Sequence, residues 1–242
     1  MKIKKHFIAV ATSGLALAAA VFIFVSLAAK EAKVSEESLP VFSSTASYPE
    51  FTLSELTQES EFIVYARIAK TGDSISNPIY VSYSGEIDAE PDDVLYFPET
   101  PINVEIINAI KGNTKDGLVY LQDGGRAKDY ILLPSGHQLE ENMEVILFLN
   151  EYGKGWGGLS EFLVFDDNVV LKADTLKEFG EKRNLSASIS QLPIDSLPNS
   201  IYKALYPNGY LKERNIDPFI ENDYVYVCNK DDFINLISSL GN

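Results

Sequence analysis

Few residues in this chain could do chemistry. Past the first thirty positions there is one histidine, His137, in Pro134-Ser135-Gly136-His137, and the only cysteine is Cys228. A serine and a histidine two positions apart do not make a hydrolytic triad, whose members converge in space from separate segments. Cys228 ends the apolar run Tyr224-Val225-Tyr226-Val227-Cys228, so a buried thiol is expected there rather than a nucleophile paired with His137. The patterns G-x-S-x-G, H-E-x-x-H and G-K-[ST] are absent. One histidine and one cysteine are too few for the common zinc sites. Carboxylates are abundant, and a pair could hydrolyse glycosides, but nothing singles out two of them.

Two stretches could bind rather than react. Glu86–Asp93 carries Glu86, Asp88, Glu90, Asp92 and Asp93, and alternating acids can gather oxygen ligands for calcium. The spacing lacks the EF-hand pattern, and a solvated acidic loop competes with a metal site built from Asp88, Glu90, Asp92 and Asp93. The second stretch is Glu151–Gly158, EYGKGWGG. Its Gly153, Gly155 and Gly158 match G-x-G-x-x-G, but strand-like sequence comes next where a dinucleotide site needs a helix N-terminus. A hairpin loop is expected instead. Trp156, the only tryptophan, either packs over the core or offers a flat stacking surface to a carbohydrate or peptide. Ligand contacts are expected from Trp156 and Tyr152, and from Gly124 and Gly125 at the end of a neighbouring strand.

Charge and the N-terminus narrow the setting. The first thirty residues hold Lys2, Lys4, Lys5 and Lys30 and no acid; the remainder has 35 acids against 16 bases, a net of −19. Such a surface repels nucleic acid and anionic headgroups and suits cationic partners or simple solubility. Behind the lysine cluster runs an uncharged, largely apolar segment from Phe7 to Ala29. It reads either as a secretory signal peptide cut after Ser26-Leu27-Ala28 or as an uncleaved single-pass anchor. It exceeds the usual h-region of about 7–15 residues, which favours the anchor. Either way the rest of the chain is expected outside the cytoplasm, attached to the membrane or secreted. A lone cysteine means that the exported part holds together without an internal disulfide.

The elements that must position these residues are mostly strands. Residues 31–50, rich in Ser, Glu, Lys and Ala, read as a flexible linker. Thr52 or Ser54 caps a short helix through Glu59, with Leu53 and Leu56 on one face. Glu61–Lys70 reads as a strand apolar on both faces, which suits a closed barrel or a strand covered on both sides. Pro101–Gly125 states its structure most plainly: strand, polar turn at Lys111–Gly117, strand at Leu118–Gln122, glycine turn. Ile102, Val104, Ile106 and Ile110 are expected on one face and Glu105 on the other. Glu144–Asn150, with five consecutive apolar residues, is expected to be a central strand, followed by strands at Leu159–Phe165 and Val169–Leu171. Ala173–Arg183 reads as a helix, Ile201–Tyr206 as a helical turn and Asp223–Cys228 as a strand. Asp231 or Asp232 is expected to cap a last helix whose stripe of Phe233, Ile234, Leu236, Ile237 and Leu240 docks on the core.

Over Leu53–Phe165 the series SELTQESEFIVYARIAK, INVEIINAIKG, LVYLQDGG, ENMEVILFLN and a glycine-containing strand resembles a widespread class of exported bacterial domains. That class is similar in shape to the OB-like barrel of netrin and tissue-inhibitor-of-metalloproteinase modules. The resemblance implies a small OB-like antiparallel barrel with a short leading helix, over 51–172; with it the residues give a mainly β chain with an α+β extension over 173–242, the linker 31–50 and the signal or anchor helix 1–30. Inhibitors in that group use an N-terminal cysteine and several disulfides, which this chain lacks, so inhibition is not implied. The expectation is a non-catalytic module that binds a protein, an envelope polymer or an ion through its loops. A carboxylate-dependent envelope hydrolase and a structural subunit of a membrane complex are the alternatives.

Overall fold

The computed structural model describes residues 39–43, 51–81, 93–114, 117–171, 189–206, 220–221 and 224–241. The apolar run 7–29, the helix expected at Ala173–Arg183 and most of the acidic stretch lie outside them. Among the described residues no helix is long and apolar enough to cross a membrane.

The chain is mainly β. In order the elements are β1 (Val41–Ser43), α1 (Leu53–Glu59), β2 (Phe62–Thr71), β3 (Ile75–Val81), β4 (Asp93–Lys111), β5 (Val119–Asp123), β6 (Gly125–Arg126), β7 (Ile131–Leu133), β8 (Glu144–Leu149), β9 (Glu161–Phe165) and β10 (Asn168–Leu171). After these come β11 (Ser190–Pro193), α2 (Asn199–Leu205), β12 (Ile220–Glu221), β13 (Tyr224–Asn229) and α3 (Lys230–Leu240). One large antiparallel sheet runs β11-β13-β10-β9-β8-β2-β4-β3, with β5 also on β4 and β12 also on β13. β8 is central, between β2 and β9, as its apolar run requires.

The expected barrel is not there: the sheet does not close. Among the described residues, one isolated bridge, Leu121 to Lys154, joins β5 to the loop after β8, with the Leu121 N–H on the Gly153 carbonyl. Two-sided apolarity in β2 has another cause. Val64, Ala66 and Ile68 enter one core cluster with Val145, Leu147, Leu149, Leu163 and Val227. Ile63 and Tyr65 enter a second, with Ile146, Phe148, Phe162 and Val169. α2 and the 139–143 segment cover the first face; α1 and α3 cover the second. An open sheet buried on both faces produces the same alternation as a barrel wall. The C-terminal strands are built into this sheet, because β13 pairs with β10 from Asn168↔Asn229 to Leu171↔Tyr226.

The Pro101–Gly125 hairpin is also altered. β4 begins at Asp93, and β5 pairs only with its middle, from Asn103↔Val119 to Glu99↔Asp123. Of three register shifts between β2 and β4, two leave Ile107 and Ile110 as extra residues on β4. Each extra residue reverses the facing of the strand beyond it. Val104 and Ile106 therefore pack with the first cluster, whereas Ile110 packs with the second. Within the expected linker, Val41–Ser43 pairs in parallel with β7, forming a small sheet β1-β7-β6.

Both outer helices have side-chain caps. Thr52 accepts from the Glu55 N–H at 3.2 Å, and the Glu55 carboxylate accepts from the Thr52 N–H at 2.8 Å, a reciprocal capping box. We expect Thr52→Ala to lower unfolding stability by about 1 kcal/mol, measurable by denaturant titration. At α3 the cap is Asn229, one position before the helix, with its side chain accepting from the Asp231 and Asp232 N–H groups. Asp231 and Asp232, expected as caps, instead sit in the first turn, where the helix dipole favours their charge. Phe233, Leu236 and Ile237 are buried on the sheet, as their spacing predicts.

Candidate functional site: a sealed carboxylate cluster

Among the described residues, β9 carries the one acid that the fold puts wholly inside. Glu161 pairs with Leu147 in the ladder and shares a face with Leu163. It is fully buried, as are its neighbours Tyr120, Gln122 and His137. Each comes from a different place: Tyr120 and Gln122 from alternate positions of β5, His137 from the segment leading to β8.

Four donors meet the two carboxylate oxygens. Oε1 accepts from the Tyr120 hydroxyl at 2.5 Å and from Gln122 Nε2 at 2.7 Å. Oε2 accepts from the His137 backbone N–H at 2.6 Å and faces His137 Nδ1 at 3.1 Å. A carboxylate has about four acceptor positions, so Glu161 is saturated. The arrangement requires a proton on His137 Nδ1, which the Nδ1–H tautomer or the imidazolium supplies. Gln122 also donates to the His137 carbonyl at 2.7 Å, closing the ring of contacts. Gly136 makes the approach feasible: a Cβ there would lie 2.2 Å from Glu161 Oε2.

Burial alone would raise the Glu161 pKa. The His137 ring and backbone donors and the Tyr120 hydroxyl together outweigh it and hold the carboxyl below its usual value. A group whose folded pKa is depressed stabilises the fold above its unfolded pKa, about 4.3 for Glu, and that contribution disappears as pH falls through the folded value. Glu144 acts in the same direction: the Tyr65 hydroxyl and Arg67, which donates at 2.8 Å, lower its pKa against a partial burial that raises it. We expect the melting temperature to be level from about pH 7 to pH 5 and to drop below about pH 4. Scanning calorimetry across this range checks it. In Glu161→Gln the acid-side drop should be shallower, and parallel drops in parent and variant would exclude Glu161 as a source.

Ser135 is engaged elsewhere. Its hydroxyl donates to Asp123 Oδ2, and its backbone N–H donates to the same oxygen at 3.2 Å. The serine proton is thus directed at Asp123 while His137 Nδ1 is directed at Glu161, so these residues form two clasps rather than one relay. Cys228 is fully buried; burial first, and the Asp232 charge second, push its thiol up to about 12.

The residues expected to bind a ligand have different surroundings. Trp156 is half-buried and packs edge-on to Phe51, with centroids 5.5 Å apart, joining the second core cluster where the folded chain begins. Tyr152 is exposed. Gly124 is buried with φ +90°, and a Cβ there would meet the Leu132 carbonyl oxygen at 2.8 Å; one at Gly125, φ +135°, would meet Ser74 Oγ at 2.3 Å. These two glycines allow close chain packing. In the glycine loop, a Cβ on Gly153 would meet the Val119 carbonyl at 2.5 Å and one on Gly155 the Ser160 hydroxyl at 2.2 Å. A short 3-10 turn, Gly157–Leu159, and then β9 come next, with no helix N-terminus for a pyrophosphate. Asp88, Glu90 and Asp92 lie outside the described residues, and Asp93 opens β4. No group of His, Cys, Asp or Glu among the described residues is arranged to hold a metal ion.

Sequence reasoning missed Glu161, Tyr120 and Gln122. The available signal was an acid inside LSEFLVF: in a strand covered on both faces, Glu161 has no solvent side to turn to. No protein-family model matches the chain, and no curated protein matches it.

Proposed function

We propose that this chain is an exported, membrane-anchored, non-catalytic module that engages a protein or an envelope polymer through its outer surface. The observation that carries the reading is the state of its acid–base groups. His137, the single histidine past the first thirty residues, and Glu161 are turned inward on each other, with every carboxylate lone pair taken by a donor from the fold. Such a cluster fixes chain segments in place; a general acid or base must reach its substrate. The lysine-flanked apolar run at 7–29 supports the anchored location, and the net charge of −19 beyond it supports a partner other than nucleic acid. Kinship with netrin-type modules is proposed for the order of elements α1, β2, β4, β5 and β8, without a closed barrel.

The test is photo-crosslinking of the full-length chain in intact cells, with the reactive group at Tyr152. The expected result is a discrete adduct with one envelope component, together with protease accessibility of the folded part from outside. Turnover of an envelope polymer by the purified full-length chain, abolished in His137→Ala, would overturn the non-catalytic reading. Recovery of the chain in the cytosol would overturn its location.

A further inference from the structure

Two exposed aromatic residues, Phe42 and Tyr96, flank the half-buried Tyr130 where the tether joins the fold. β1 docks on β7 with Val41 opposite Ile131 and Phe42 opposite Leu132, and the Ile131 N–H donates to the Pro40 carbonyl. The Phe42 ring meets Tyr130 edge-on at 5.8 Å. The Tyr130 hydroxyl in turn donates to the Tyr96 carbonyl oxygen. Val41, Phe42 and Tyr96 remain 54%, 45% and 58% exposed, and Pro78, the ladder partner of Tyr96, is exposed as well. Phe42 and Tyr96 are thus tied to the same residue, Tyr130, and both leave large apolar side chains toward solvent.

The path of the chain says what faces it. With β1 docked, only residues 30–39 separate the apolar run ending at Ala29 from the fold. Ten residues span at most about 35 Å when extended, so in the anchored reading β1 stays within that distance of the bilayer. Tyrosine rings, apolar in body and polar at the tip, suit the headgroup layer. The charge of the β6–β7 turn also fits. In a part of the chain with a net of −19, the β6–β7 turn exposes Arg126 and Lys128 against Asp129 alone, placing bases where lipid phosphates would lie.

We propose that Phe42, Tyr96 and Tyr130, flanked by Arg126 and Lys128, form a bilayer-facing surface that seats the folded part on the lipid headgroups of the membrane anchoring the same chain. This rests on the anchored reading above, and the test separates the two. The full-length chain is reconstituted at one copy per nanodisc of phosphatidylcholine containing a headgroup-nitroxide lipid. A fluorophore is placed at Asp129→Cys beside the patch or, as a control, at Asn235→Cys on the exposed side of α3; Cys228 is buried and stays unlabelled. Quenching at position 129 should exceed that at 235 by roughly twofold, and Phe42→Ser with Tyr96→Ser should abolish the difference. Both substituted side chains are substantially exposed, so the fold is retained. Equal quenching at the two positions, with the chain still incorporated in the disc, overturns the patch and leaves the anchor standing. Failure to incorporate overturns both. Protection at position 129 that arises only in discs carrying two copies overturns the lipid assignment in favour of self-association.

Discussion

Glu161→Gln should lower the unfolding free energy by about 3 kcal/mol, the scale expected when one member of a buried, hydrogen-bonded charge cluster is altered. The substitution keeps the shape and changes only which atoms accept. On whichever side the new NH2 lies, it faces two donors. Against Oε2's partners it meets the His137 backbone N–H, which cannot rotate away. Against Oε1's partners it meets the Tyr120 hydroxyl, which can turn to accept, and Gln122, which can invert only by giving up its bond to the His137 carbonyl. Either choice leaves at least one buried donor opposed. At roughly 2–4 °C per kcal/mol for a domain of this size, the melting temperature should fall by about 10 °C. A shift within about 1 °C would mean that the cluster does not hold the β5, 134–143 and β9 segments together. Gly136→Ala tests the same geometry from outside: its methyl group competes for the space of Oε2, and a comparable loss is expected.

The second large effect belongs to the other face. Phe162→Ala should cost about 3–5 kcal/mol. Phe162 is buried between Phe148, 5.4 Å away, and Phe233 on α3, 4.9 Å away, so its ring joins the sheet to the helix that covers it. Removing it leaves a void bounded by β8, β9 and α3, none of which can close in without giving up ladder bonds or the buried stripe of α3. Phe162→Leu should lose less than half as much, since most of the volume is restored. Equilibrium denaturation of the parent and the two variants gives the order directly. An alanine variant no worse than leucine would show that the site collapses freely.

Residues alone reveal whatever depends on local pattern. Thr52 ahead of Leu53 and Leu56, the five apolar residues of β8 and the stripe of α3 all act through neighbours close in sequence, and all appear where their spacing puts them. The losses came where distant segments decide. Ile110 was misplaced because extra residues on β4, invisible to a period of two, turn it to the opposite cluster. The barrel was expected because a strand buried on both sides looks alike whether a wall or a second layer covers it; here α1 and α3 supply the layer. β1 lies in a stretch whose composition reads as linker, and only the free edge of β7 makes it a strand. The sealed cluster joins residues 120, 122, 137 and 161, which nothing but the folded sheet brings together. The acid inside LSEFLVF, in a strand with no solvent side, was its one local trace.

Cys228 gives this molecule a built-in clock. Its thiol faces the second core cluster between β10 and α3, fully buried and held protonated well above physiological pH. Since alkylating agents and disulfide partners react with the thiolate, the folded chain should resist forming covalent dimers under oxidising conditions. The thiol becomes available only when α3 lifts or the sheet parts at β13. The rate at which an added reagent labels Cys228 therefore counts opening events in the native population, with no engineered probe.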